Sequence, residues 1–254
     1  MTVIYLHSPV EQSLARKAGK LAAELLNHLG AMIKPGVSTR QLNDEAEKWT
    51  AEKGAISAPL GYMSGSGKPF PFSICTSTNN VICHGKPNDD PLKDGDIVNV
   101  DVTPRLSGWH GDTSKTFIVG ECSELSRELV KVTEECLYLG IEQAKPGKTL
   151  GDIGSAIQTH AERAGFSVVR TFVGHGTGRI FHCSPQVPHY GISKVGLKLR
   201  PGMIFTIEPM INEGTPGVSM LDEWIAVTSD GKLSAQFEHT ILINEDGAEI
   251  LTKV

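Results

Sequence analysis

Five side chains in this 254-residue chain could do chemistry together: Asp101, Asp112, His175, Glu208 and Glu238. Four hard carboxylates and one imidazole form a donor set suited to Mn²⁺, Fe²⁺, Co²⁺ or Zn²⁺. No cysteine joins the set, which disfavours a structural zinc site. Gathered without a counter-charge, four carboxylates repel, and some would have to protonate. Two divalent ions remove that repulsion. In favourable sites such ions lower the pKa of water from 15.7 to roughly 7, and paired ions stand ~3.5–4 Å apart. The chemistry this predicts is a metal-bound hydroxide formed near neutral pH.

Each carboxylate falls at or beside a β-rich segment. Asp101 closes Asp96-Ile97-Val98-Asn99-Val100-Asp101-Val102, and Glu208 closes Met203-Ile204-Phe205-Thr206-Ile207-Glu208. Asp112 precedes Thr116-Phe117-Ile118-Val119, and Glu238 precedes Thr240-Ile241-Leu242-Ile243. These alternating runs predict strands. Helical signals stand ahead of each pair. Ser8-Pro9-Val10-Glu11 and Ser38-Thr39-Arg40-Gln41 read as capping boxes, as does Thr149 with Asp152, while Ser123 is a further N-cap. Lys34-Pro35-Gly36 and Lys145-Pro146-Gly147 stop the first helix of each pair, and Gly54 and Gly165 close the second. Lys34 and Lys145, Ser38 and Thr149, and Gly54 and Gly165 all keep one offset of 111 positions. This internal repeat predicts one catalytic domain over 1–254, with halves at about 8–120 and 121–254. The fold expected is α/β: a mostly antiparallel curved sheet with helices on one face and a pseudo-twofold axis that gathers the carboxylates.

Composition narrows the partners. A formal net charge of −5 argues against broad nucleic-acid binding. No apolar run is long enough to span a membrane, and MTVIYLHSPVEQ lacks the pattern of a signal peptide. Five cysteines without a CxxC pair fit reduced thiols in the cytoplasm. Gly61-Tyr62-Met63-Ser64-Gly65-Ser66-Gly67-Lys68 has the wrong spacing for a phosphate loop, with Pro69 where Ser or Thr should stand, and reads as a surface loop. Gly174-His175-Gly176-Thr177-Gly178 is no dinucleotide fingerprint, and no HExxH or GxSxG occurs.

Six motifs, taken together, resemble the type I methionine aminopeptidases. They are Val81-Ile82-Cys83-His84-Gly85, Asn99-Val100-Asp101-Val102-Thr103, His110-Gly111-Asp112-Thr113-Ser114, Gly174-His175-Gly176-Thr177-Gly178, Thr206-Ile207-Glu208-Pro209-Met210 and Phe237-Glu238-His239-Thr240. The resemblance implies the pita-bread fold and removal of the initiator methionine from nascent chains when the second residue is small. It implies that Asp112 and Glu238 bridge two divalent ions, that Asp101 chelates one, and that His175 and Glu208 hold the other. It makes Glu208 the group that takes the proton of the attacking water. His182 would hydrogen-bond the scissile carbonyl and the developing oxyanion, and His84 would contact the substrate backbone. The methionine pocket would comprise Tyr62, Phe70, Cys75, Phe181 and Trp224, a lining suited to a thioether. A monovalent cation would rest on carbonyls of Asn79, Val81 and Ser234. His110 and His239, beside two ligands, would be supporting residues; His189 receives no role.

Two departures from the family pattern stand out. Pro59 occupies the position before Leu60-Gly61-Tyr62 where relatives often carry cysteine, and Ser64–Lys68 add residues at the rim. The alternatives are an X-Pro peptidase on the same fold and a binding protein that has lost catalysis. The first usually carries an extra N-terminal domain, whereas here the first helix begins near Ser8. The second shows broken ligands, whereas here all five are intact. A type II enzyme would carry a long helical insert that the spacing of Glu208 and Glu238 excludes. The partners implied are nascent polypeptide N-termini and a transient, local ribosome contact by a monomer.

Overall fold

A computed structural model of the chain describes residues 3–65 and 67–254. Ser66, one of the added rim residues, lies outside the described residues. Four helices carry the repeat: α1 (Pro9–Gly30), α2 (Thr39–Glu52), α3 (Glu124–Gln143) and α4 (Leu150–Arg163). Their starts are the capping sites read from sequence. The Glu11 carboxylate accepts from the Ser8 amide at 2.9 Å. Ser38 and Gln41 exchange bonds at 2.9 and 3.3 Å, and the Ser123 hydroxyl accepts from the Ser126 amide at 3.0 Å. Each satisfies an amide that the first helical turn leaves without a partner. Both Lys-Pro-Gly stops place glycine in the left-handed region, Gly36 at φ 91° and Gly147 at φ 83°, where a side chain would be strained.

Eight strands form one antiparallel sheet. They are β1 (Cys75–Thr78), β2 (Ile97–Val102), β3 (Thr113–Ile118), β4 (Gly174–Gly176), β5 (Cys183–Val187), β6 (Ile204–Ile207), β7 (Glu238–Ile243) and β8 (Ala248–Ile250). The order is β5-β4-β6-β7-β3-β2-β1, with β8 beside β7. The two halves meet where β7 pairs with β3. Strand alternation sorts the side chains onto two faces. Phe205, Ile207, Ile241 and Ile243 pack into one apolar cluster with Leu129, Leu137, Ile153 and Ile157 of α3 and α4. Val98, Val100 and Val102 pack into another with Leu25, Leu29, Leu42 and Ala46 of α1 and α2. Each helical pair therefore backs its own half of the sheet. The alternate positions, Asn99, Asp101, Ser114, Thr116, Thr206, Glu238 and Thr240, make the opposite face polar.

Three small three-stranded sheets, which the strand pattern did not announce, complete the walls. One joins Val81–Cys83, Ala226–Thr228 and Val218–Met220, with Trp224 in the connecting turn. Another joins Ser167–Val168, Met210–Asn212 and Ser234–Gln236. The third pairs Ile56–Ser57 and Trp109–His110 with Pro104–Leu106. Among the described residues, no helix is long and apolar enough to cross a membrane.

Candidate metal centre

Sheet register builds the centre. In one row across the polar face, Cys75 pairs with Asp101, Asp101 with Ser114, and Ser114 with Glu238. Directly paired residues point to the same side, so the row sets two carboxylates either side of a small serine. Asp112 immediately precedes β3, and Glu208 immediately follows β6. His175 is the middle residue of the short strand β4. All five side chains line one cavity of about 240 Å³. Ligand atoms of Asp112, His175 and Glu238 lie within 4.8 Å of one another. His175 Nε2 stands 3.5 Å from Asp112 Oδ2 and 3.6 Å from Glu208 Oε1.

Hydrogen bonds fix these groups from behind. The Thr103 hydroxyl donates to Asp112 Oδ1 at 2.7 Å, and the Thr206 hydroxyl donates to Glu208 Oε1 at 2.7 Å. Gln236 Nε2 donates to Glu208 Oε2 at 3.3 Å. The Thr113 hydroxyl, from β3, donates to the Glu238 carbonyl at 2.7 Å and ties the two halves together. His175 Nδ1 lies 3.2 Å from the Gly176 carbonyl. Donation to that carbonyl leaves the Nε2 lone pair facing the carboxylates, the tautomer a metal ligand needs.

The charge balance is decisive. Among the described residues, the cavity lining holds four carboxylates and neither lysine nor arginine. Burial, reinforced by Asp112, pushes the Asp101 carboxyl well above the usual range. Burial raises Asp112 to about 7 against the opposing Thr103 hydrogen bond. Glu208 and Glu238 are raised well above the usual range by burial and by the neighbouring carboxylates, with the Thr206 bond opposing the shift at Glu208. Burial lowers His175 to about 4, keeping it neutral. An uncompensated cluster of buried acids around a neutral imidazole is the environment that divalent cations complete.

The predicted pocket residues gather at the same cavity. Tyr62, Phe70, Cys75, Phe181 and Trp224 all line it, as do His84 and His182. The Tyr62 ring meets Phe181 edge-on at 5.2 Å, and Phe70 meets Trp224 edge-on at 5.3 Å. Pro59 lines the wall as well. Lys68, in the segment 64–68, pairs with Glu223 at 3.3 Å. His182 Nδ1 lies 2.9 Å from the Tyr62 hydroxyl. Burial pushes His182 down to about 2, helped by His175, and burial lowers His84 too. His110 stacks on Phe181 at 5.4 Å and supports the wall. His239 bonds Thr252 at 2.9 Å, and its neighbours in register, Thr113 and Ile207, belong to the helix-backed face; its role is structural. Asn79 accepts from the Ser234 amide through its carbonyl at 2.9 Å, so two of the three carbonyl-bearing residues named for a monovalent cation adjoin.

Sequence reasoning missed Cys83, Thr103, Phe172, Val173, Met210 and Gln236 as lining residues. Cys83, Thr103 and Met210 lie inside the quoted motifs and Gln236 stands two positions before Glu238, so proximity to a named site residue is their available signal. Phe172 carries none. His189 was also passed over; it is fully buried, and its Nε2 accepts from the Glu208 amide at 3.1 Å.

Residues 13–245 match the model of metallopeptidase family M24. Methionine aminopeptidase A of Synechocystis is 62% identical over 251 residues, covering 98% of this chain and 97% of that protein. The crystal structure of methionine aminopeptidase from Rickettsia prowazekii superposes with a TM-score of 0.95 at 50% identity, covering 98% of this chain and 100% of that one. That of the Thermotoga maritima enzyme also gives 0.95, at 42% identity, covering 99% and 100%.

Proposed function

The chain belongs to metallopeptidase family M24, and we propose that it acts within that family as a methionine aminopeptidase. It removes the N-terminal methionine of nascent proteins and peptides when the second residue is small. The observation that carries this is the adjacency of two features in one cavity: the four-carboxylate, one-imidazole cluster and the aromatic and thiol slot. The slot matches a thioether side chain, which favours aromatic edges and soft sulfur.

In this reading Asp101, Asp112, His175, Glu208 and Glu238 would together hold two divalent ions, with Asp112 and Glu238 shared between them; Co²⁺, Mn²⁺, Fe²⁺ and Zn²⁺ would all suit the donors. Bound ions supply a water of near-neutral pKa and polarise the scissile carbonyl. Glu208 takes the proton of the attacking water and returns it to the leaving amine. His182 Nδ1 lies 2.9 Å from the Tyr62 hydroxyl; with the hydroxyl as donor, the His182 proton sits on Nε2. That N–H is free to donate to the carbonyl oxygen and to stabilise it as charge develops. His84 contacts the substrate backbone. The aromatic slot holds the methionine side chain and excludes water from it. A monovalent cation on carbonyls of Asn79, Val81 and Ser234 would brace the loops nearby. We place the work of residues 1–254, a single catalytic domain of two halves, in the cytoplasm, as a monomer making a local, transient ribosome contact.

The test is hydrolysis of Met-Ala-Ser and Ala-Pro-Ser by chelator-stripped protein, with Mn²⁺, Co²⁺, Fe²⁺ or Zn²⁺ restored separately. Metal-dependent release of methionine, without cleavage before proline, is the expected result. The opposite preference would assign the site to X-Pro substrates, and no turnover under any metal would leave a binding role.

A further inference from the structure

Asp101 and Glu208 occupy matching places in the two halves, but their backbones are held differently. Asp101 lies inside β2 and is paired on both sides, with Cys75 and with Ser114. Glu208 lies one residue past the end of β6, beyond the last pair, Ile207 with His239, and the following Pro209 has no amide hydrogen to anchor the chain. The amide of Glu208 instead donates to His189 Nε2 at 3.1 Å. Accepting that bond puts the imidazole proton on Nδ1, which is buried without a protein partner among the described residues. A buried, half-satisfied ring carries a cost that apolar packing would avoid.

The segment bearing His189 is itself clamped. A Cβ on Gly154 of α4 would run into the carbonyl oxygen of Tyr190, and one on Gly151 into that of Ile192. One turn of α4 therefore lies directly against the backbone beyond His189. Asp152, between those glycines, accepts from the Ser193 hydroxyl at 2.6 Å and the Lys194 amide at 3.0 Å. The rigid start of α4 thus fixes residues 190–194, and the adjoining His189 fixes the Glu208 backbone.

We propose that His189 is a positioning residue: through the Glu208 amide it stands in for the missing ladder partner and aims the Glu208 carboxylate at the metal centre. The proposal rests on the reading of Glu208 as a metal ligand. Three variants separate reach from packing. His189→Leu removes the acceptor. His189→Gln places an amide oxygen near the position of Nε2. His189→Asn keeps the amide but is too short to reach. Each is assayed by calorimetric titration of the stripped protein with Co²⁺, by thermal unfolding, and by kcat and KM on Met-Ala-Ser.

Leu and Asn should weaken the Co²⁺ affinity about 10–100-fold, the scale for losing a partner behind a ligand. The same two should lower kcat with KM moved by less than about threefold. Gln should recover most of both. Equal losses in Gln and Asn, or a well-folded Leu variant that binds Co²⁺ as the parent does, would overturn the proposal. If Leu fails to fold, the comparison of Gln with Asn decides alone. Glu208→Gln is titrated alongside: unchanged Co²⁺ affinity there would overturn the ligand reading itself, whatever the His189 variants do.

Discussion

Replacing Asp152 with alanine should cost about 3 kcal/mol of stability, and the structure says where that figure comes from. One carboxylate oxygen, Oδ2, accepts from the Thr149 amide at 2.8 Å and the Thr149 hydroxyl at 2.9 Å, forming the capping box of α4. The other, Oδ1, accepts from Ser193 and Lys194 at 2.6 and 3.0 Å. A lost cap is worth about 1 kcal/mol. Hydrogen bonds to a charged acceptor are worth about 1.5–3 kcal/mol each, but Ser193 and Lys194 are exposed, so water takes over part of what they lose. Lys194 sits at φ 67°, and relaxing that strained residue returns about 1 kcal/mol. The net of about 3 kcal/mol corresponds to a drop in Tm of roughly 6–12 °C for a chain of this size.

The pH dependence gives a second handle. Donation from Ser193, then from the Thr149 amide, holds the Asp152 carboxyl far below the usual range. A depressed acid stabilises the fold fully above its unfolded pKa of about 3.9, and the contribution fades as pH falls towards the folded value. Urea unfolding of stripped parent and variant, followed by tryptophan fluorescence, should show the full gap at pH 7 and a smaller one at pH 3. A gap below about 1 kcal/mol at pH 7, or one that persists unchanged at pH 3, would refute the reasoning.

Removing metal should make stability fall with rising pH. The raised carboxyls of Asp101, Asp112, Glu208 and Glu238 mean that the stripped fold binds more protons than the unfolded chain, so stability declines between about pH 4.3 and the folded values. Thermal scans from pH 5 to 8 should show that slope without metal and lose it with Co²⁺; a flat profile in the stripped protein would contradict the charge argument. Gly111→Ala drives a Cβ into the Ala18 carbonyl of α1 beside Asp112, one of the proposed ligands. It should cost about 2 kcal/mol and weaken Co²⁺ binding in calorimetry, and parent-like behaviour in both would refute the close approach as a constraint. Pro59→Cys alters a residue of the pocket wall. It should shift either the tolerance for the second residue of Met-Xaa-Ser peptides or the potency of cysteine-directed inhibitors, and no change in either would count against a role for Pro59.

What the sequence determined by itself was local. Helix starts depend on a residue and its third neighbour, so Ser8 with Glu11, Ser38 with Gln41 and Thr149 with Asp152 were legible as bonds before any fold was known. The donor set was legible for a similar reason: residue type dictates which ions four carboxylates and an imidazole can hold. Tertiary structure decided everything that depends on register and approach. Cys75, Asp101, Ser114 and Glu238 form one row only because three strand pairs align. The tautomer of His175 depends on a carbonyl, and His182 meets a phenol 120 positions away. Phe172 and Gln236 reach the cavity through loops and a small sheet with no periodic signature. His189 shows the limit most clearly. Its chemistry was visible in the sequence, but a lone histidine acquires a task only from what it touches, and the Glu208 amide lies 19 positions along the chain.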